Sequence, residues 1–174
     1  MRIITFLSFY LIVFAGFAQQ DSLIEVNIKD SVLTTEFEEK KGRLIVPAKS
    51  YISLDVCCVE QYNQKLQENS FSTRNPKEEI LKVTCKENTQ AISVADGKVA
   101  LVLKTEGAYT VVLKHGKYGA VYSNLESVSV EEGKDLKENQ VIGIVKTKSL
   151  KTVLNYELYF KANKMKVANW IKLD

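Results

Sequence analysis

The amino-acid sequence predicts a mainly β domain, an antiparallel sheet folded on itself or a sandwich. Three features carry that expectation. From residue 80 onward short β-branched runs recur, as in ILKVTCK, ALVLKT and YTVVLKH. Turn signals such as Asp96-Gly97 and Glu106-Gly107 punctuate them, and VLNYELYF alternates with the period of a strand. The 174 residues, 45% apolar and 26% charged, suffice for one globular core, and no linker rich in Pro, Gly or Ser marks a second domain.

Taken in order, the chain opens with Arg2 and a nearly unbroken apolar run from Ile3 to Phe14, then small Ala18 before Gln19. This is the pattern of an export signal, residues 1–18, cleaved after Ala18. A retained membrane anchor is the alternative, with a run at the short edge of what a bilayer needs. No cysteine stands at the cleavage site to carry a lipid.

Residues 19–77 form a lead-in. SLIEVNIKDSV alternates and reads as a strand or extended segment. The next stretch holds the break at Gly42, the apolar burst Leu44 to Val46, and Pro47, which belongs at a sheet edge or at the start of the sheet. EQYNQKLQENSFSTRNPKEE is polar and reads as a long surface loop, or a short helix and a loop, ending near Asn75 and Pro76. Residues 78–174 are the β core. Its turns fall at Glu87 to Asn88, Asp96-Gly97, Glu106-Gly107, Gly133 and Glu138 to Asn139, and Trp170 is a core plug near its end.

The net charge of +3 becomes +2 without Arg2, and lysines alternate with glutamates rather than forming a basic stripe among aromatics. Nucleic acid is therefore not an expected partner. Cys57, Cys58 and Cys85 leave two readings open in an oxidising compartment: a bridge from Cys85 to one of the adjacent pair, or three small apolar fillers. Their spacing lacks the second pair of ligands a structural zinc site requires.

The single histidine, His115, stands in KHGK at the junction of a strand and a turn. One histidine cannot build the usual three-ligand catalytic zinc site without added carboxylates or thiolates. There is no HExxH helix, and no nucleophile-histidine motif.

Residues 91 to 145 closely resemble the core of the LytM-like, or lysostaphin-like, zinc metallopeptidases of peptidase family M23. The resemblance rests on Ala95-Asp96-Gly97-Lys98-Val99, His115-Gly116, Tyr122 with Leu125, Gly133, and Gln140 to Gly143, in that order. LNYELYFKANKMKVANWIKL resembles the last strand and tail, with Tyr156-Glu157 where the family has Phe-Glu, so the likeness extends over roughly residues 78 to 172. It implies the duplicated-hybrid-motif antiparallel β domain.

Carried over residue by residue, the resemblance does not deliver the hydrolytic apparatus. The family's metal ligands fall on Glu78, Lys82 and Asn155, and its two catalytic histidines on Asn124 and Val153. An ammonium repels a metal ion, and neither an amide nor a valine is a base near neutral pH. His115 matches the histidine opening the family's HG turn, a fold position where hydrogen bonding to backbone is the expected role. These departures from the family pattern imply a pseudoenzyme without cofactor or metal, and the export signal adds the expectation of a secreted or periplasmic protein with no stable membrane span after cleavage.

Two partners fit that reading: cell-wall peptidoglycan, held in the groove that active relatives use, or a cell-wall hydrolase or other envelope protein regulated by contact. The groove candidates are Glu78, Lys82, His115, Tyr122, Asn124, Val153, Asn155, Tyr156 and Glu157, among them amides and phenols able to hydrogen-bond amides or sugar hydroxyls. Core packing is the alternative role for the two tyrosines. Competing functions are a metallopeptidase with an unusual Glu78, Glu157 and His115 site, and a purely structural or adhesive domain.

Overall fold

The computed structural model describes residues 25, 27–58 and 79–172. The leader and the polar segment between 59 and 78, including Glu78, lie outside the described residues. Residues 27–39 form a helix, α1. The strands that follow are β1 (Tyr51–Cys58), β2 (Glu79–Cys85), β3 (Gln90–Ile92), β4 (Gly97–Thr105), β5 (Ala108–His115) and β6 (Tyr118–Val128). Then come β7 (Asp135–Leu136), β8 (Val141–Val145), β9 (Thr147–Lys148), β10 (Lys151–Phe160) and β11 (Asn163–Lys164), with a 3-10 turn at Val167–Asn169.

The named strands pair antiparallel throughout, in the order β1-β2-β10-β6-β5-β4-β7, as the sequence predicts for a mainly β chain. The short β3 pairs β8, which also pairs the far end of β6. Tight hairpins make this order accessible. Glu106 (φ 52°) and Gly107 (φ 72°) give the β4–β5 turn two left-handed central residues, the geometry that matches strand twist.

One face of the sheet carries the core. Along β10 the buried residues are Thr152, Leu154, Tyr156 and Leu158, and the intervening positions are half-exposed, the period of two expected of a strand covered on one side. Leu81 and Val83 of β2, Ala120 and Tyr122 of β6, and Val111 and Leu113 of β5 join the same buried cluster. Fully burying side chains of this size stabilises the fold by roughly 1.5–3 kcal/mol each.

The helix corrects the strand-like reading of SLIEVNIKDSV. Of its apolar residues, Ile28 and Val32 remain 59% and 50% exposed, whereas the buried positions are Thr34 and Phe37, with Leu33 half-buried, the spacing of a helical face. Phe37 stacks on the His115 ring at 4.7 Å and meets Tyr118 at 4.9 Å and Trp170 at 5.3 Å. Trp170, 2% exposed, is the core plug the sequence suggests. Thr34 Oγ1 donates to the Asp30 carbonyl (2.6 Å) and accepts from Lys117 N–H (3.0 Å), seating α1 on the β5–β6 turn. A Cβ at Gly116 (φ 62°) would collide with Thr34 Oγ1 and the Asp30 carbonyl, so this turn needs glycine both for its backbone and for the helix above it.

Pro47 lies between two isolated bridges, Leu44 with Ile171 and Ala48 with Ala91, and its carbonyl accepts Ile92 N–H at 3.0 Å. That is the edge role expected of it. Cys57 and Cys85 are free thiols. Cys57 lies opposite Ile80 and Cys58 opposite Glu79, five and six residues from Cys85 along β2. At about 3.3 Å per residue either gap exceeds 16 Å, so the register forbids a bridge from Cys85 to the adjacent pair.

Candidate functional site

The second face of the sheet, open among the described residues, carries half-buried and exposed side chains. Register places Asp55 opposite Lys82, Lys82 opposite Asn155, Asn155 opposite Ser123, Ser123 opposite Thr110, and Thr110 opposite Leu103. Cross-strand partners point to the same side, so these residues make one row across six strands. A second row joins Ser53, Thr84 and Val153. Lys82 is exposed, while Val153, Asn155 and Glu157 are half-buried. Lys82, Val153, Asn155 and Glu157 therefore stand on one surface. Sequence reasoning missed Asp55, Ser123 and Thr110; the alternation of Ser53, Asp55 and Cys57 in YISLDVCC is the signal that points to the first.

Asn124 is placed at the rim by a bulge. Tyr109 pairs Leu125 while Thr110 pairs Ser123, leaving Asn124 unpaired with φ 68°, a conformation that asparagine tolerates better than most residues. Its Nδ2 donates to the Val153 carbonyl (2.6 Å), and its own carbonyl accepts Lys146 N–H (2.9 Å). The residue at the expected base position thus ties β6 to β10.

Three residues expected at the groove are elsewhere. Tyr122 and Tyr156 are fully buried on the core face, with ring centroids 5.2 Å apart. Strand parity explains it: Tyr156 alternates away from Asn155, and Tyr122 away from Ser123. The Tyr122 hydroxyl accepts Val94 N–H at 3.2 Å, and burial pushes both phenols above their ordinary range. His115 is also fully buried, with Nδ1 2.7 Å from the Asp96 carbonyl. Facing a carbonyl, Nδ1 carries the proton. Burial lowers the imidazole pKa to about 4, the Asp96 carbonyl and charge only partly opposing it. A Cβ at Gly97 would lie 2.5 Å from this Nδ1, so the Asp96-Gly97 turn and the His115-Gly116 turn are fitted to one another.

The unusual site built from Glu157 and His115 is not assembled. Glu157 shares the open face with Val121 and Val112, whereas His115 lies on the core side with Val111 and Leu113. Glu157 is engaged besides, by Lys164 Nζ at 2.7 Å and by the Tyr159 hydroxyl at 2.7 Å, with the Lys164 and Glu157 side chains only 9% and 19% exposed. Among the described residues no cluster of three His, Cys, Asp or Glu side chains is placed to hold a metal ion.

Cys57 is the remaining reactive group on this face. Its thiol donates to Asp55 Oδ2 at 3.0 Å; that bond and slight burial raise its pKa, while the Lys82 charge lowers it. The face as a whole offers an ammonium, a carboxylate, amides and hydroxyls. These groups bind through hydrogen bonds and ion pairs, and among them no imidazole is available to activate water.

An antiparallel sheet with one packed face, one open polar face and fitted glycine turns defines a LytM- or lysostaphin-type β domain. The chain belongs to peptidase family M23, whose pattern matches residues 78–169, just over half of it. Among solved structures, Csd3 of Helicobacter pylori aligns with TM-score 0.56 and 18% identity over 75% of this chain and 35% of its own. A chain of the SpoIIIAH and SpoIIQ complex aligns with TM-score 0.50 and 21% identity, over 74% of this chain and 100% of its own. A zinc-containing peptidase from Vibrio cholerae gives TM-score 0.46 and 21% identity over 51% of this chain and 28% of its own. The chain thus spans about a third of the length of the Csd3 chain it resembles. No curated protein matches it.

Proposed function

We propose that this is a non-catalytic M23-family domain that acts outside the cytoplasm, secreted or periplasmic, by binding cell-wall peptidoglycan through its open sheet face. One observation carries the reading: Lys82 and Asn155 are cross-strand neighbours at two positions where the resemblance puts metal ligands. The expected base position, Asn124, spends its amide on the Val153 carbonyl. An ammonium beside an amide repels a metal cation but suits peptide carbonyls and carboxylates, groups in which wall peptides are rich.

Contact with a cell-wall hydrolase is the second reading. Two observations favour it: Leu101 and Leu103 are exposed on β4, 37% and 47%, at the margin of the same face, and one similar fold occurs in a complex of two proteins. Among the described residues no helix is long and apolar enough to cross a membrane. The export signal expected of residues 1–18 supports the extracytoplasmic setting.

Sedimentation of the full chain with purified peptidoglycan tests the first reading, comparing wild type with Asn155→Trp and Lys82→Glu. Asn155 is the suitable position for a blocking ring, because Asn124 is needed by the bulge. Loss of co-sedimentation in both variants supports groove binding. Undiminished binding in both rejects it, and selective retention of a hydrolase by wild type but not Leu103→Glu supports the second reading instead.

A further inference from the structure

Away from the open face, a cleft of about 550 Å³ lies beneath the strap that contains Pro47, a site the proposed function does not use. Its wall is apolar at Ile45, Val46 and Ile92, and its rim carries Arg43 and Lys49, with Lys172 beside them. Among the described residues no acidic side chain lines it. Lys49 is exposed and makes no ion pair among the described residues, and Arg43 commits one nitrogen, Nη2, to the Glu39 carbonyl at 2.5 Å. Arg43 and Lys49 therefore present cationic charge beside an apolar surface, and neither forms an ion pair among the described residues.

The backbone of the strap adds directionality. Leu44 is held by Ile171 and its neighbours, with Leu44 N–H donating to the Trp170 carbonyl at 3.0 Å. Ala48 is held on the other side by Ala91. Between these anchors the N–H and C=O groups of Ile45 and Val46 have no hydrogen-bond partner among the described residues. Both residues are half-buried and both line the cleft. A short run of backbone with open donors and acceptors is the edge that an extended peptide pairs with.

We propose that this cleft binds the end of an extended peptide with a free terminal carboxylate and a small or medium apolar side chain. The carboxylate meets Arg43 and Lys49; Arg43 suits it because a guanidinium presents parallel N–H donors to two oxygens. The peptide backbone pairs with Ile45 and Val46, and the side chain rests on Ile92. The volume falls in the range of small-ligand pockets, larger than a lone inorganic anion needs. Charge complementarity selects this occupant over an uncharged or acylated-and-amidated peptide, which would leave the two cations unmatched.

The test titrates N-acetyl-valyl-alanine, and separately its C-terminal amide, into isotopically labelled full chain followed by amide NMR. Saturable shifts at Ile45, Val46, Lys49 and Ile92 are expected with the acid, with Kd on the order of 1 mM. The amide should bind at least about tenfold more weakly, a loss of about 1.4 kcal/mol. Arg43→Gln and Lys49→Gln, both at exposed positions, should each weaken the acid several-fold and leave the spectrum otherwise folded. Equal binding of acid and amide, shifts confined to other residues, no saturable shift, or indifference to both variants would each overturn the proposal.

Discussion

Acidification should weaken this domain through His115 in a way that a single substitution can isolate. In the folded chain the imidazole is buried against Phe37, its Nδ1–H is spent on the Asp96 carbonyl, and its pKa is lowered from 6.5 to about 4. The unfolded chain therefore binds more protons at this site between those values. Stability from the neutral ring is fully present above about pH 6.5, declines as pH falls toward 4, and declines no further once both states are protonated. Integrated from pH 7 to pH 4.5, the loss is about 2 kcal/mol. Other groups contribute a background common to both proteins, so the measurement is a difference. Urea unfolding of wild type and His115→Phe at matched pH values removes the shared background. The stability of wild type relative to the variant should fall by about 2 kcal/mol across the window. Parallel curves, or a ring titrating near 6.5 in the folded chain by NMR, would refute the reasoning.

Other predictions concern the joints of the fold and the candidate site. Gly97→Ala drives a methyl into the His115 ring and the Lys114 carbonyl, and should cost about 3 kcal/mol in urea unfolding. Gly116→Ala should cost at least as much and also expose Phe37, read as increased proteolytic cleavage within α1, because the added Cβ strikes helix backbone. Lys164→Met leaves the carboxylate of Glu157 with only the Tyr159 hydroxyl among its described partners and should destabilise by about 1–3 kcal/mol, a loss reduced by combining it with Glu157→Gln. Lys82→Asp with Asn155→His places a carboxylate and an imidazole opposite each other on β2 and β10. That pair should raise zinc affinity measurably in a competition assay, without peptide cleavage, since the Asn124 and Val153 positions still lack a base.

Much of the β architecture was legible in the sequence because two local signals agreed. Turn residues such as Glu106-Gly107 fixed the hairpins, and strand alternation such as that of β10 fixed which side faces the core. The same alternation also places Tyr156 inward once Asn155 is outward, so groove lining by both residues was never compatible with one strand. Tyr122 required one further inference. Tyr122 and Leu125 are both buried though three apart, which a regular strand forbids; the spacing in YSNL encodes the bulge at Asn124. The helix was obscured for the opposite reason. Ile24, Val26 and Ile28 supply a strand-like alternation in the sequence, yet Ile28 stays in water, while burial is decided by Thr34 and Phe37 meeting a turn some 80 residues away. Local periodicity carries no information about that long-range contact. Asp55, likewise, enters the open row only through the pairing of β1 with β2 across the long intervening segment.

The most direct test of the central claim is a zinc-loading and turnover measurement on the folded full chain. Protein purified without chelator is assayed for bound zinc, then incubated with peptidoglycan and excess zinc while released peptides are followed by mass spectrometry. The proposed function predicts zinc well below one per chain and no cleavage, with retained binding to the wall polymer. Stoichiometric zinc accompanied by chelator-sensitive release of peptides would contradict it.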